Sequence, residues 1–199
     1  MITQLTHVYS LLIAVTVILS SATFVSAQEE TVIPGDPELC ETEPLPDSYF
    51  QPYVGTPTPL PQEQISEATP DVVEDPEGNP ADAETIDATV AILTQFKTCS
   101  NAGQTTSVAA LVDPALVERA ALFNGAEFFL DEQPASASPS GMLVEEILET
   151  EDGQIIATVS TAPESTSGMT VIRQRFFLEG TREGLVITEN VLLEVIMDD

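Results

Sequence analysis

The sequence predicts an α+β domain in which helices come first and an antiparallel sheet follows. Three observations carry this. Apolar residues recur at helical spacing from Pro80 to about Phe123, and from Ala126 onward the period falls to near two. The candidate strands are joined by short turn-forming segments, which pair neighbours antiparallel because a parallel pair needs a long crossover.

Asp82 is placed to cap the first helix, and Ile86, Val90, Leu93 and Phe96–Lys97 recur on it through about Ser100. Asn101-Ala102-Gly103 supplies a left-handed stop. A second short helix fits Thr105–Val112, with Val108, Leu111 and Val112 as its apolar residues. Asp113-Pro114 reads as a cap followed by proline in the first turn, opening a third helix to about Phe123 that Asn124-Gly125 ends. A short strand is expected at Glu127–Leu130, then a Pro/Ser-rich loop over 133–141. Four longer strands follow at Met142–Thr150, Gln154–Ala162, Thr170–Glu179 and Leu185–Ile196. Glu151-Asp152-Gly153, Pro163–Gly168 and Gly180–Gly184 separate them.

The segment before this domain divides in two. Leu11–Leu19 is an apolar core of signal-peptide length, and Val25-Ser26-Ala27 fits the small-x-small preference of a signal peptidase. Residues 1–27 are therefore expected to be a signal peptide cleaved after Ala27, leading to a secreted or cell-envelope location. The leader has no Lys or Arg before its apolar core, which leaves an uncleaved anchor or a misplaced start codon as alternatives. Residues 28–80 hold eleven of the fifteen prolines and thirteen acidic residues, with no Lys or Arg. Proline removes backbone donors and like charge stretches the chain, so this linker is expected to be mostly disordered, without a core of its own. The Tyr49-Phe50 pair with Tyr53 and Val54 is the exception, an aromatic patch suited to docking on the domain at 81–199.

The net charge is −28, from 33 acidic and five basic residues. Such a chain repels phosphate backbones and anionic membrane surfaces, so no nucleic acid is expected as a partner, and the membrane only through an uncleaved leader. Solubility outside the cell accounts for the acidity more simply than a basic partner does.

Phe96-Lys97-Thr98-Cys99-Ser100-Asn101-Ala102-Gly103-Gln104, followed by Val108-Ala109-Ala110-Leu111, resembles the first helix junction of the nuclear transport factor two-like superfamily. Arg173-Gln174-Arg175-Phe176-Phe177-Leu178-Glu179 and Gly184-Leu185-Val186-Ile187-Thr188 are similar to its last hairpin. Gln104 stands where that family usually has Asp, and the hairpin lacks the Trp often found at its turn. The resemblance covers about residues 81–196. It implies a cone of strongly curved antiparallel sheet closed by the long helix, with a pocket inside, and it spans enzymes and non-catalytic proteins alike.

The chemistry available to such a pocket is narrow. His7 and Tyr9 lie in the leader and Tyr49 and Tyr53 in the linker, so the domain contains no His, Tyr or Trp. No Ser-His-Asp or Cys-His set can be assembled, no zinc site of His and Cys, and no phosphate loop. The acidic run Asp71–Asp82 lacks the spacing of an EF-hand, so neither metal nor cofactor is expected. Strand alternation leaves three pocket candidates. Glu146 shares a face with Met142, Val144 and Leu148; Glu189 with Leu185, Ile187, Val191, Leu193 and Val195; Gln174 with Ile172, Phe176 and Leu178. A carboxylate held in an apolar cavity would have its pKa raised and serve as a base, whereas a bulge or the sheet rim would expose it. Arg173 and Arg175 fall on the other face, suited to pairing with Glu145 or Glu149. Cys40 and Cys99 are expected to form a disulfide in an exported chain, with free thiols or an interchain bridge as alternatives.

These observations favour a non-catalytic binding or interaction module, with a small apolar ligand or a protein as partner and homodimerisation open. The alternatives are an isomerase or dehydratase using a buried Glu as base, and a tethered structural protein of the envelope.

Overall fold

The computed structural model describes residues 31–55, 76–131, 133–161, 170–181 and 184–197. The expected signal peptide at 1–27, its expected cleavage point after Ala27 and linker residues 28–30 and 56–75 lie outside the described residues. Among those described, no helix is long and apolar enough to cross a membrane.

The architecture is α+β, a mixture of helices and one open antiparallel sheet. The sheet has strands β1 (Thr31–Ile33), β2 (Asn79–Pro80), β3 (Met142–Glu149), β4 (Ile155–Thr161), β5 (Thr170–Thr181) and β6 (Gly184–Met197). β3 to β6 form the expected meander, each pairing with the next. β1 and β2 add themselves to the other edge of β3, with Ile33 opposite Met142 and Pro80 opposite Leu148.

Local signals place the helices well. Helix α2 (Ala83–Asn101) starts where the Asp82 carboxylate accepts the Thr85 amide at 2.8 Å. It stops before Gly103, whose φ of 72° suits glycine. A Cβ there would also come within 2.3 Å of the Gln133 carbonyl. Helix α3 (Thr105–Ala109) is shorter than expected, because Leu111 and Val112 are taken up by the sheet. The Ile187 amide donates to the Leu111 carbonyl, and the Asp113 amide to the Ile187 carbonyl. Asp113 then caps α4 (Pro114–Asn124) through the Ala115 amide.

Two expectations are corrected. Glu127–Leu130 is a helical turn, α5, and not a strand. Its aromatic residues favour strand by propensity, but a four-residue segment is decided by packing: Phe129 stacks on Phe50 with centroids 4.8 Å apart. The second correction concerns the linker. Residues 31–55 carry β1, 3-10 turns at Pro37–Leu39 and Gln51–Tyr53, and helix α1 (Asp47–Phe50). Burial of two side chains explains the order, since Ile33 and Phe50 are both fully inaccessible to solvent.

These residues join two cores. The larger lies between α2 and one face of the sheet and contains Leu93, Val144, Ile147, Val159, Phe176, Leu178 and Ile187, with Ile33 at its rim. Phe96 meets Phe176 edge-on at 5.3 Å. The smaller gathers Phe50, Val117, Ala121 and Phe129, with Tyr49 and Tyr53 against them. The aromatic patch of the linker therefore docks as expected.

Candidate functional site

Cys40 and Cys99 are joined by a disulfide, with Cα atoms 4.7 Å apart. Cys99 is buried on α2, two residues before the helix end, and the bond ties the N-terminal arm to that helix. Side chains reinforce the seam. Gln95 Nε2 donates to the Leu39 carbonyl, while its Oε1 accepts from the Glu41 amide at 2.8 Å and the Thr42 hydroxyl. Buried Asn101 donates to the carbonyls of Gly35 and Ser140 at 2.6 and 3.0 Å, linking arm, helix and sheet. Gly35 is required there, because a Cβ would stand 2.4 Å from the Ser140 backbone.

The three pocket candidates are not brought together. Between Val144 and Glu146 the register of β3 slips by one residue, leaving Glu145 as the extra residue of a β-bulge. Val144 and Ile147 therefore take the helix-facing positions on either side, and Glu146 turns outward and is exposed. The same device acts on β6. Leu178 pairs with Ile187 but Phe177 pairs with Glu189, so Thr188 is extra and Glu189 is also exposed on the outer face. Neither carboxylate sits in an apolar row, which corrects the alternation expected for both strands. The signal was in the sequence: Glu145-Glu146 and Thr188-Glu189-Asn190 are consecutive polar residues that strict alternation would force inward in turn. Gln174 alone keeps its expected place, half-buried on the helix-facing side between Val159 and Leu192.

The outer face gains a polar cluster instead. Arg173 Nε lies 2.7 Å from the Glu145 carboxylate, which also accepts the Ser160 hydroxyl, and Glu194 is opposite Arg173 on β6. Arg173 therefore pairs across strands as expected. Arg175 is buried in the next row, between Thr158 and Val191.

On the helix-facing side the only lysine of the chain stands out. Ile86, Val90, Leu93 and Lys97 form one stripe of α2, and Leu93 is fully buried in the core. Lys97 is half-buried, and desolvation by burial pushes its pKa down from the usual lysine value. Among the described residues no carboxylate lies within ion-pair distance of it, and the Gln174 amide likewise has no hydrogen-bond partner. Phe96, the neighbour of Lys97 on α2, meets Phe176, which lies two residues along β5 from Gln174. Leu192 and Val195, opposite Gln174 and Ile172 on the same face, are 55% and 48% exposed. The α2 layer thus leaves this end of the sheet open.

No cluster of His, Cys, Asp or Glu among the described residues is arranged to hold a metal ion. Comparison with known proteins returns no match to any family model, curated protein or solved structure.

Proposed function

We propose that this chain is a non-catalytic binding module working outside the cytoplasm, exported by residues 1–27 and released after Ala27. In this reading the sheet and α2 form the cone of a nuclear transport factor two-like domain, and the open end of the helix-facing side receives a small ligand with apolar character. The observation that carries the reading is the outward turn of Glu146 and Glu189. Two bulges turn the two strand carboxylates considered as bases, Glu146 and Glu189, out into water, where they meet no enclosed substrate. What remains on the inner face is apolar surface with an amide and an ammonium, groups that orient a ligand through hydrogen bonds and charge. The Cys40–Cys99 disulfide is compatible with an oxidising compartment.

Native mass spectrometry of protein purified from its own host tests this. The expected result is a retained small molecule on a chain that begins at Gln28. Turnover of a substrate that disappears in Glu146→Gln or Glu189→Gln would overturn the reading in favour of an enzyme.

A further inference from the structure

The unusual feature of the open end is electrostatic. The chain carries 33 carboxylates and one lysine, yet that lysine has no carboxylate partner among the described residues. A fully exposed lysine without a partner would need no explanation, because water solvates it. Lys97 is instead half-buried on a stripe whose other members are apolar, so its stem follows the core and its ammonium has lost part of its hydration. Both bulges add to the isolation, since they send Glu145, Glu146 and Glu189 to the opposite face.

We infer, resting on the binding-module reading, that the ligand is a small amphiphilic acid: an apolar chain ending in a carboxylate, with the carboxylate on Lys97 Nζ and the chain along the open end of the sheet. Three placements support that chemistry. Lys97 supplies one positive charge, which matches a monoanion, and the surrounding charge of −28 disfavours a dianion such as an alkyl phosphate. Gln174 offers amide donors on the same face, with no partner among the described residues. Leu192, Val195 and Ile172 present contiguous apolar side chains on neighbouring strands, the surface an alkyl chain would cover.

Isothermal titration of the oxidised protein with dodecanoate, below its micelle range and at 0.15 M salt, tests the inference. Methyl dodecanoate has the same chain without the charge. The expected result is saturable binding of one dodecanoate per chain, against the protein's own negative field. Affinity should fall roughly 10- to 100-fold for the ester and for Lys97→Met, as expected on losing a charge-assisted hydrogen bond, and Lys97→Arg should keep most of it. Lys97→Met retains an unbranched stem and helix propensity; should it nonetheless misfold by circular dichroism, Leu192→Glu at an exposed position must abolish binding in its place. Equal affinity for acid and ester, or dodecanoate binding indifferent to Lys97→Met, overturns the inference while leaving the module reading standing. Absence of saturable dodecanoate binding also overturns it, and a host-derived small molecule retained in native mass spectrometry would then keep the module reading alone.

Discussion

Reduction of the Cys40–Cys99 bond is the perturbation whose magnitude follows most directly from the structure. The bond closes a loop of 59 residues. On the chain-entropy account, opening such a loop destabilises the fold by about 4 kcal/mol, because the unfolded chain regains the conformations the cross-link denied it. For a chain of this size each kcal/mol moves Tm by roughly 2–4 °C, so reduction should lower Tm by roughly 8–16 °C. The native state itself should change little. The arm is held independently by the three contacts of Gln95, by the Leu45 amide on the Thr106 carbonyl, and by burial of Ile33 and Phe50.

Urea unfolding followed by circular dichroism, with and without dithiothreitol, separates the two routes. If the bond acts on the unfolded chain, the native spectrum is unchanged, the midpoint drops and the m-value rises as more surface is exposed. A Tm shift below about 2 °C would refute the entropic reasoning. So would an unchanged m-value with protease cleavage appearing within 31–55, which would mean that the bond holds the arm in the native state.

Other substitutions probe the remaining joints. Phe50→Ala removes a fully buried ring stacked on Phe129 and should destabilise by roughly 3–5 kcal/mol in the same urea assay. Asn101→Leu strands the carbonyls of Gly35 and Ser140 and should lower stability by about 1–3 kcal/mol for each one left unpaired. Glu145→Gln breaks an exposed ion pair and should change stability by less than about 1 kcal/mol, an effect that shrinks further in salt. Asp82→Ala should lower Tm at neutral pH. The Thr85 amide holds the Asp82 carboxyl below its usual range, so its contribution is present above the unfolded pKa and lost as pH falls through the lower, folded value. The gap between Asp82→Ala and the parent should therefore close in thermal melts taken below about pH 4.

Local chemistry was legible, and partner-dependent structure was not. Asp82, Asp113 and Gly103 mark helix ends through contacts within a few residues, so their boundaries can be read along the chain. The meander was readable for the same reason, since its turns are short and each strand pairs with its neighbour. β1 is different. Thr31-Val32-Ile33 is a three-residue strand in a proline-rich acidic context, and only the edge of β3, over a hundred residues away, makes it a strand. The same holds for α5, whose conformation depends on the ring of Phe50. For the site, alternation located Gln174 correctly but failed wherever two or three polar residues adjoined, because a bulge turns them to water more cheaply than burial would. Lys97 was visible as a member of the α2 stripe, but its lack of a carboxylate partner among the described residues depends on where those bulges send Glu145, Glu146 and Glu189.

That isolation bears on how an acidic chain would hold an acid. Most of its 33 carboxylates act on one another and on solvent through water and salt, where interactions fade beyond about 8–10 Å. In the proposed complex Lys97 would act at contact distance from a partly desolvated position, where the effective dielectric is lower and one charge pair would outweigh several distant repulsions. A bound carboxylate would restore to the ammonium the partner that burial withdrew, and would thereby raise the lysine pKa toward its free value or beyond. Proton uptake should therefore accompany dodecanoate binding at alkaline pH, measurable as a buffer-dependent heat that shrinks as the titration is moved from alkaline to neutral pH. Lys97→Met should remove the buffer dependence. If instead the heats stay independent of buffer at both pH values while dodecanoate still binds, the carboxylate is held elsewhere and the pairing with Lys97 is wrong.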